Sequence, residues 1–306
     1  MMKPFSTRLL ATALLLVSLP LAGPFAFAAP PPSDAPFQPL HSPATGESHP
    51  GKFVWADLFT TDPVAATKFY SGLFGWTANA ISQDEKTYTV FSNGRRPVAG
   101  LAPRPRSNSQ RRSRWITYIA VEDIAAAARR VTQAGGQIHA EPRAFPDRGI
   151  QAIIADNEGS TIGLLQSSSG DSPDEEPKPG DWNWFELFVT QPQAVSAFYR
   201  EVLGYAMAPD LRTDRKNDFL LSSGGVPRAG VAPLPARDDA RAGWLGVVRV
   251  VNIDESLARV TKLGGEILVE PRPARYESRF AIIADSTGGT IGLVEYVDNA
   301  NPATRP

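Results

Sequence analysis

Residues 55–76 read WADLFTTDPVAATKFYSGLFGW, and this stretch predicts the first strand and helix of the fold. Its beginning predicts a strand that leads into a helix, because Asp62 suits an N-cap and Pro63 suits the first helical position. The apolar residues that follow recur three and four positions apart on one helical stripe: Ala66, Phe69, Tyr70, Leu73 and Phe74. Gly75 is then expected to end the helix in a left-handed conformation.

The residues after this helix complete a unit of one helix and four strands. A turn at Asn93-Gly94 lies between two short apolar runs, as in a hairpin. The plan then repeats, with a strand at residues 115–121, a helix capped by Asp123 and a final hairpin at residues 150–166. Two βαβββ units are therefore expected within residues 51–166.

This pair of units occurs twice in the chain. Ile153-Ile154-Ala155-Asp156, for example, returns as Ile282-Ile283-Ala284-Asp285. Self-similarity over such a length indicates a duplicated domain. We therefore predict an α+β protein of two tandem domains, residues 51–166 and 181–296, joined by a polar linker at residues 167–180.

The N-terminus carries the pattern of an export signal. Lys3 and Arg8 make it basic, residues 9–22 form an apolar run that is short for a membrane-spanning helix, and Ala26-Phe27-Ala28 is a small-x-small cleavage site. We predict that residues 1–28 are a signal peptide, cleaved after its last alanine. The mature protein would then be periplasmic or extracellular.

The remaining segments and the overall composition limit the kinds of chemistry and of binding partner to be expected. Residues 29–50 are rich in Pro, Ser and Ala and are predicted to be a tether without a core, and residues 297–306 a polar tail. The chain has no cysteine, which excludes disulfides and thiolate chemistry. Its formal net charge of −1 gives no bias toward nucleic acid or an anionic membrane. We expect a small-molecule partner, no nucleic acid, and no membrane contact after cleavage.

Two phrases make the chain resemble the vicinal oxygen chelate superfamily of glyoxalases, bleomycin resistance proteins and dioxygenases. The first is Thr-x-Asp-Pro-x-x-Ala-x-x-Phe-Tyr-x-x-Leu-Phe-Gly-Trp at residues 60–76, and the second is Ala-Asp-x-x-Gly-x-x-Ile-Gly-Leu at residues 155–164 and again at 284–293. The resemblance covers both predicted domains. It implies that each pair of units forms a curved, barrel-like mixed sheet with a cup on one face.

In metal-using members of that superfamily, a His or Glu stands on the first and last strand of each unit. The resemblance assigns these positions to Trp55, Gly100, Trp115 (or Ile116) and Gly163 in the first domain, and to Trp184, Gly230, Trp244 (or Leu245) and Gly292 in the second. None of these side chains binds a divalent cation. We predict no metal and no cofactor, although an all-carboxylate site stays open.

The residues at these positions have two interpretations. The tryptophans either fill the core or form aromatic walls for a flat ligand, and a glycine in a strand lets a bulky group approach the backbone. Asp57 and Glu186 each follow a tryptophan, Trp55 and Trp184, by two positions and share its strand face. Each carboxylate is either a general acid or base with a raised pKa, or a group paired with an arginine or a backbone amide.

Three functions remain open from the sequence. The leading hypothesis is an exported, metal-independent protein that binds a flat or hydrophobic molecule in Trp-lined cups, as the bleomycin-resistance branch does. The second is a lyase or isomerase related to glyoxalases and dioxygenases that uses Asp57 or Glu186 as acid or base. The third is a non-catalytic interaction module. Since the duplication supplies an internal pseudo-dimer, a monomer is expected.

Overall fold

The computed structural model describes residues 37–81, 87–104, 113–211, 217–234, 242–274 and 278–296. The predicted signal peptide, the first part of the tether and the polar tail lie outside these residues and stay predictions. Among the described residues, no helix is both long enough and apolar enough to cross a membrane.

The first domain contains two consecutive units with the same order of elements. The first unit comprises β1 (Phe53–Thr60), α1 (Pro63–Phe74), β2 (Thr77–Ile81), β3 (Tyr88–Asn93) and β4 (Arg96–Pro103). The second unit comprises β5 (Arg114–Ala120), α2 (Ile124–Gln133), β6 (Gln137–Phe145), β7 (Gly149–Ala155) and β8 (Thr161–Ser167).

The second domain repeats this order. Its first unit comprises β9 (Trp182–Val189), α3 (Pro192–Leu203), β10 (Ala206–Pro209), β11 (Phe219–Ser223) and β12 (Val226–Pro233). Its second unit comprises β13 (Gly243–Arg249), α4 (Ile253–Lys262), β14 (Glu266–Pro273), β15 (Ser278–Ala284) and β16 (Thr290–Tyr296).

Each domain is built on one eight-stranded mixed sheet, in the order β2-β3-β4-β1-β5-β8-β7-β6 for the first domain. The two units join where β1 pairs antiparallel with β5, and within each unit the first strand pairs parallel with the last. The second sheet has the equivalent order. The predicted α+β class with two tandem pairs of βαβββ units is therefore confirmed, with the qualification that each sheet is open and not a closed barrel.

The predicted limits of α1 follow from its capping residues. The Asp62 side chain accepts a hydrogen bond from the Ala65 backbone N–H at 3.0 Å, and Pro63 is the first helical residue. Gly75 ends the helix with φ at 73°, in the left-handed region where a residue without a Cβ is favoured.

The two faces of each sheet have different partners. One face carries the helices and packs against the other domain, so the two large cores are each shared between the domains. One core joins the first unit of domain one to the second unit of domain two, and the other core joins the remaining two units. The opposite faces, here called cup 1 and cup 2 for domains one and two, therefore point away from each other.

Hydrogen bonds between motif residues fasten the domains together. The Tyr70 hydroxyl donates to Asp285 Oδ2 at 2.7 Å and accepts from Trp115 Nε1 at 2.8 Å. The repeat builds the same chain of bonds in reverse: Tyr199 donates to Asp156 Oδ2 at 3.1 Å and accepts from Trp244 Nε1 at 3.0 Å. The Phe-Tyr and Ala-Asp phrases that suggested the family thus meet across the domain interface.

The polar linker is held against the body of the protein. Asp174 forms an ion pair with Lys52 at 2.8 Å and accepts hydrogen bonds from Arg228 at 2.5 and 2.9 Å. These hydrogen bonds and charges hold the pKa of the Asp174 carboxyl well below its usual range. Arg249 binds Glu176 at 3.0 Å in the same segment. The linker consequently has a fixed course from one domain to the other.

Candidate functional site

Cup 1 contains a buried carboxylate on its central strand. Asp57 is 5% exposed, and it shares its strand face with Trp55 because alternate residues of β1 point the same way. Its Oδ1 accepts hydrogen bonds from Trp55 Nε1 at 2.8 Å and from the Tyr88 hydroxyl at 2.6 Å. Burial raises the pKa of Asp57, while these donors, Tyr118 and the charge of Arg148 act in the opposite direction.

Arg148 brings a buried positive charge into the same cup, and the sequence analysis did not identify it. The residue lies between β6 and β7 and is 1% exposed. Its guanidinium carbon lies 4.3 Å from the centroid of the Trp55 ring, close enough for a cation–π interaction. Its Nη1 is buried without a hydrogen-bond partner among the described residues. The Asp-Arg-Gly turn at 147–149 was a visible signal for a loop, although not for an inward side chain.

The N-terminal segment covers this cup. Phe37 and Leu40 are buried in the same apolar cluster as Trp55. The Phe37 ring meets Tyr88 edge-on with 4.8 Å between centroids and Phe145 with 5.0 Å. The prediction that residues 29–50 contribute to no core is therefore wrong for the part described. An average over a Pro- and Ser-rich segment hides two large apolar side chains.

The strand glycines predicted to lie in the cups do leave space for neighbouring side chains. The side chains that fill this space in cup 1 are not the predicted tryptophans. A Cβ at Gly100 would overlap the Tyr88 hydroxyl and the Asp57 carboxylate, and a Cβ at Gly163 would overlap the Tyr118 ring. The expected close approach to a strand glycine is present. The approaching groups in cup 1 are thus tyrosines and a carboxylate, where the sequence suggested tryptophan.

Trp115 and Trp244 do not line the cups. Both lie on the helix-bearing faces, where they donate to Tyr70 and Tyr199 as described above. Ile116 and Leu245 occupy the cup faces at these points. The placement of the two tryptophans was wrong because a shift of one residue along a strand moves a side chain to the opposite face. The alternative register at Ile116 and Leu245 is the observed one.

Cup 2 keeps the indole–carboxylate pair but has a different environment. Trp184 Nε1 donates to Glu186 Oε2 at 2.8 Å, and a Cβ at Gly230 would overlap this carboxylate. Both residues are partly exposed, whereas Trp55 and Asp57 are buried. Glu186 pairs across the sheet with Leu245, which belongs to a buried apolar cluster that also contains Phe188, Val269 and Ile282.

The two cups differ at the positions that make cup 1 polar. Val247 pairs with Gly292 as Tyr118 pairs with Gly163, so an aliphatic side chain replaces a tyrosine. In the repeat, Glu277 corresponds to Arg148, and it lies outside the described residues. The duplication has therefore produced two unlike sites from one plan.

The residues present do not fit a metal at the positions that the family implies. In cup 1 these positions hold Trp55, Gly100, Ile116 and Gly163, and in cup 2 they hold Trp184, Gly230, Leu245 and Gly292. Indole, glycine and aliphatic side chains offer no lone pair to a divalent cation. In the part of the chain that the structure describes, no three His, Asp or Glu side chains are grouped to hold an ion.

Comparisons with known proteins agree on the family. The family model described as Glyoxalase/Bleomycin resistance protein/Dioxygenase superfamily matches residues 52–164 and 182–293. The chain is 30% identical over 259 residues to "Anthracycline biosynthesis protein DnrV" of Streptomyces peucetius, covering 80% of this chain and 94% of that one. It is 29% identical over 258 residues to "Putative glyoxylase CFP32" of Mycobacterium tuberculosis, covering 83% and 98%.

Solved structures share the fold at low sequence identity. The Mn(II)-bound glyoxalase from Novosphingobium aromaticivorans superposes with a TM-score of 0.56 at 17% identity, covering 85% of this chain and 86% of that one. A catechol 2,3-dioxygenase superposes with a TM-score of 0.54 at 12% identity, covering 84% and 92%. These likenesses concern the fold, because one fold carries many chemistries.

Proposed function

We propose that this chain, which belongs to the Glyoxalase/Bleomycin resistance protein/Dioxygenase superfamily, is an exported protein that binds a small flat or hydrophobic molecule without a metal ion. Cup 2 is the binding site in this proposal. Export rests on the pattern of the first 28 residues, and a monomer suffices because the duplication pairs the domains internally.

One observation carries the choice of cup 2. Trp184 and Glu186 are partly exposed, while their counterparts in cup 1, Trp55 and Asp57, are buried. A partly exposed indole suits stacking against a flat apolar ligand, and the Glu186 carboxylate, which accepts from that indole, supplies a polar contact that orients the ligand. The absence of metal-binding side chains at the family positions supports binding over metal-assisted chemistry at this site.

A relative suggests the class of ligand with which to begin. DnrV is named for anthracycline biosynthesis, and anthracyclines have a flat, fused-ring body. Daunorubicin is an anthracycline with a cationic amino sugar, so its ring system suits stacking on the Trp184 indole and its charge suits the Glu186 carboxylate. It serves as a fluorescent probe of the proposed class.

The test is a daunorubicin titration of the mature protein and two variants, followed by probe anisotropy. Trp184→Ala is expected to weaken binding at least about tenfold, because a buried aromatic contact is a typical source of binding energy. Trp244→Phe is the matched control and is expected to leave affinity unchanged, since Trp244 lies on the opposite face of the sheet. Equal affinity of parent and Trp184→Ala, or no binding by the parent, would contradict the proposal.

The acid–base alternative has one supporting observation, the pKa of Asp57, which burial raises. A substrate must reach a general acid or base to exchange a proton with it. Asp57 is 5% exposed, and Phe37 packs against its hydrogen-bond partner Tyr88. The structure therefore favours binding in cup 2 over proton transfer in cup 1.

A further inference from the structure

We propose that the segment Phe37–Leu40 is a removable plug, and that it occupies a second binding site in cup 1 for an aromatic molecule that carries a carboxylate. In this proposal the Phe37 ring and the Gln38 carbonyl stand in for the ring and the anionic group of the ligand. The proposal concerns cup 1 alone and does not depend on ligand binding in cup 2.

The Phe37 ring is held in place by contacts with two aromatic side chains and with a cation. Phe37 lies edge-on to Tyr88 and Phe145, and the Arg148 guanidinium carbon lies 5.6 Å from its centroid. Edge-to-face contacts and a cation over the ring are the interactions that an aromatic ligand would also make. Leu40 adds an apolar contact within the same cluster. The pocket is therefore shaped for a planar ring and is filled by one.

The position of the anion is set by Arg148. Its Nε donates to the Gln38 carbonyl oxygen at 2.9 Å, while its Nη1 is buried without a partner among the described residues. A buried guanidinium that donates to a single neutral oxygen uses little of its capacity, since arginine has five N–H groups in a planar fork. A carboxylate in place of the carbonyl would accept from both nitrogens. The unpartnered Nη1 is the observation that points to an anion.

The nearby carboxylate of Asp57 does not supply that anion. Its Oδ1 already accepts from Trp55 and Tyr88, and the nearby Tyr118 hydroxyl also acts to lower the pKa of the Asp57 carboxyl. The ion pairs found among the described residues, within 4.0 Å, do not include Arg148 and Asp57. Asp57 therefore reduces the net positive charge of the cup without occupying the free nitrogen of Arg148.

The plug can leave without disrupting a sheet. Residues 37–40 precede β1 and belong to neither sheet, and the chain is attached to the linker just after them, where the backbone N–H groups of His41 and Thr45 donate to Ser169. Segments held by a few side chains open with a smaller free energy than the elements they cover. Release of Phe37 and Leu40 would expose the ring pocket, Trp55 and Arg148 together.

The experiment compares binding of 2-naphthoate and the uncharged 2-naphthalenemethanol by isothermal titration calorimetry. The proteins are the mature chain, the double variant Phe37→Ala/Leu40→Ala and the control Gln38→Ala, whose side chain is exposed and whose carbonyl is retained. The double variant is expected to bind 2-naphthoate at least about tenfold more tightly than the parent, because the competing plug no longer reduces the open population. Gln38→Ala should behave as the parent.

The uncharged alcohol and an Arg148 variant test whether the carboxylate of the ligand is recognised by Arg148. The increase in affinity on removal of the plug is expected to be smaller for the alcohol than for the acid. Adding Arg148→Gln to the double variant should remove the preference for the acid. If Arg148→Gln does not fold, the acid-to-alcohol ratio in the double variant decides the question. Equal affinity of parent and double variant for 2-naphthoate, or equal gains for acid and alcohol, would overturn the proposal. Binding in cup 2 is common to all these proteins and leaves the differences unchanged.

Discussion

Replacing Arg148 with methionine is expected to lower the free energy of unfolding by about 2 kcal/mol at neutral pH. The substitution keeps the apolar bulk but leaves the buried Asp57 carboxylate without its nearby cation. It also removes the cation–π contact at 4.3 Å from the Trp55 centroid. Urea denaturation at about pH 7, followed by tryptophan fluorescence, measures the change.

The pH dependence of this loss tests its electrostatic origin. Since the folded pKa of Asp57 is raised, its contribution to stability is present below the ordinary aspartate pKa and is lost as pH rises through the folded pKa. Removing Arg148 raises that folded pKa further, so the loss becomes larger and extends to higher pH. Below the ordinary aspartate pKa, where Asp57 is protonated in both states, the electrostatic part of the difference should vanish.

Two variants control for packing effects. Arg143→Met removes a half-buried arginine that lies 5.4 Å from the Phe145 centroid, and it is expected to cost less than about 1 kcal/mol. Asp57→Asn in the Arg148→Met background should recover part of the stability, because the uncompensated charge is gone. A loss that stays the same at acid pH would show that Arg148 acts through packing against Trp55 and Phe37.

Removing the two interdomain tyrosine hydroxyls is also expected to lower the free energy of unfolding by several kcal/mol in total, at about 1.5–3 kcal/mol each. Tyr70→Phe leaves Asp285 Oδ2 and Trp115 Nε1 without this partner inside the core, and Tyr199→Phe does the same to Asp156 and Trp244. A hydrogen bond to a charged group contributes about 1.5–3 kcal/mol, so each variant should lose that amount. The double variant should lose about the sum, because the two chains of bonds share no residue.

Tyr296→Phe is the matched control. Its hydroxyl accepts a hydrogen bond from Asn183 at 2.9 Å at the partly exposed end of β16, so its loss is expected to be below about 1 kcal/mol. Differential scanning calorimetry measures the stability of the two single variants, the double variant and this control relative to the parent. If Tyr70→Phe costs no more than Tyr296→Phe, the interdomain hydrogen bonds do not hold the domains together in the way inferred here.

The features that could be predicted from sequence are those with a local physical signature. The capping residues around α1 fixed its limits, because Asp62, Pro63 and Gly75 act through their own backbone and nearest neighbours. The duplication was visible because both copies keep the residues that meet across the interface. The shared strand face of Trp55 and Asp57 followed from the period of two along a strand.

The features that could not be predicted depend on contacts between distant residues. Arg148 enters cup 1 from the loop before β7, and Phe37 reaches it from ahead of β1, so no spacing in the sequence links either residue to Asp57. The placement of Trp115 depended on a register that period-two alternation leaves uncertain by one residue. In each case the partner that decides the position lies on another element of the fold.

Native mass spectrometry of the purified protein tests whether it binds its ligand without a metal ion. One spectrum reports divalent ions and bound organic molecules together. Metal-independent binding predicts a mass without a stoichiometric divalent ion, either that of the bare chain or that mass raised by an organic ligand, and the added mass would begin to identify the ligand. One or two stoichiometric divalent ions per chain would contradict metal-independent binding and would assign the chain a metal site that the cup residues described here do not provide.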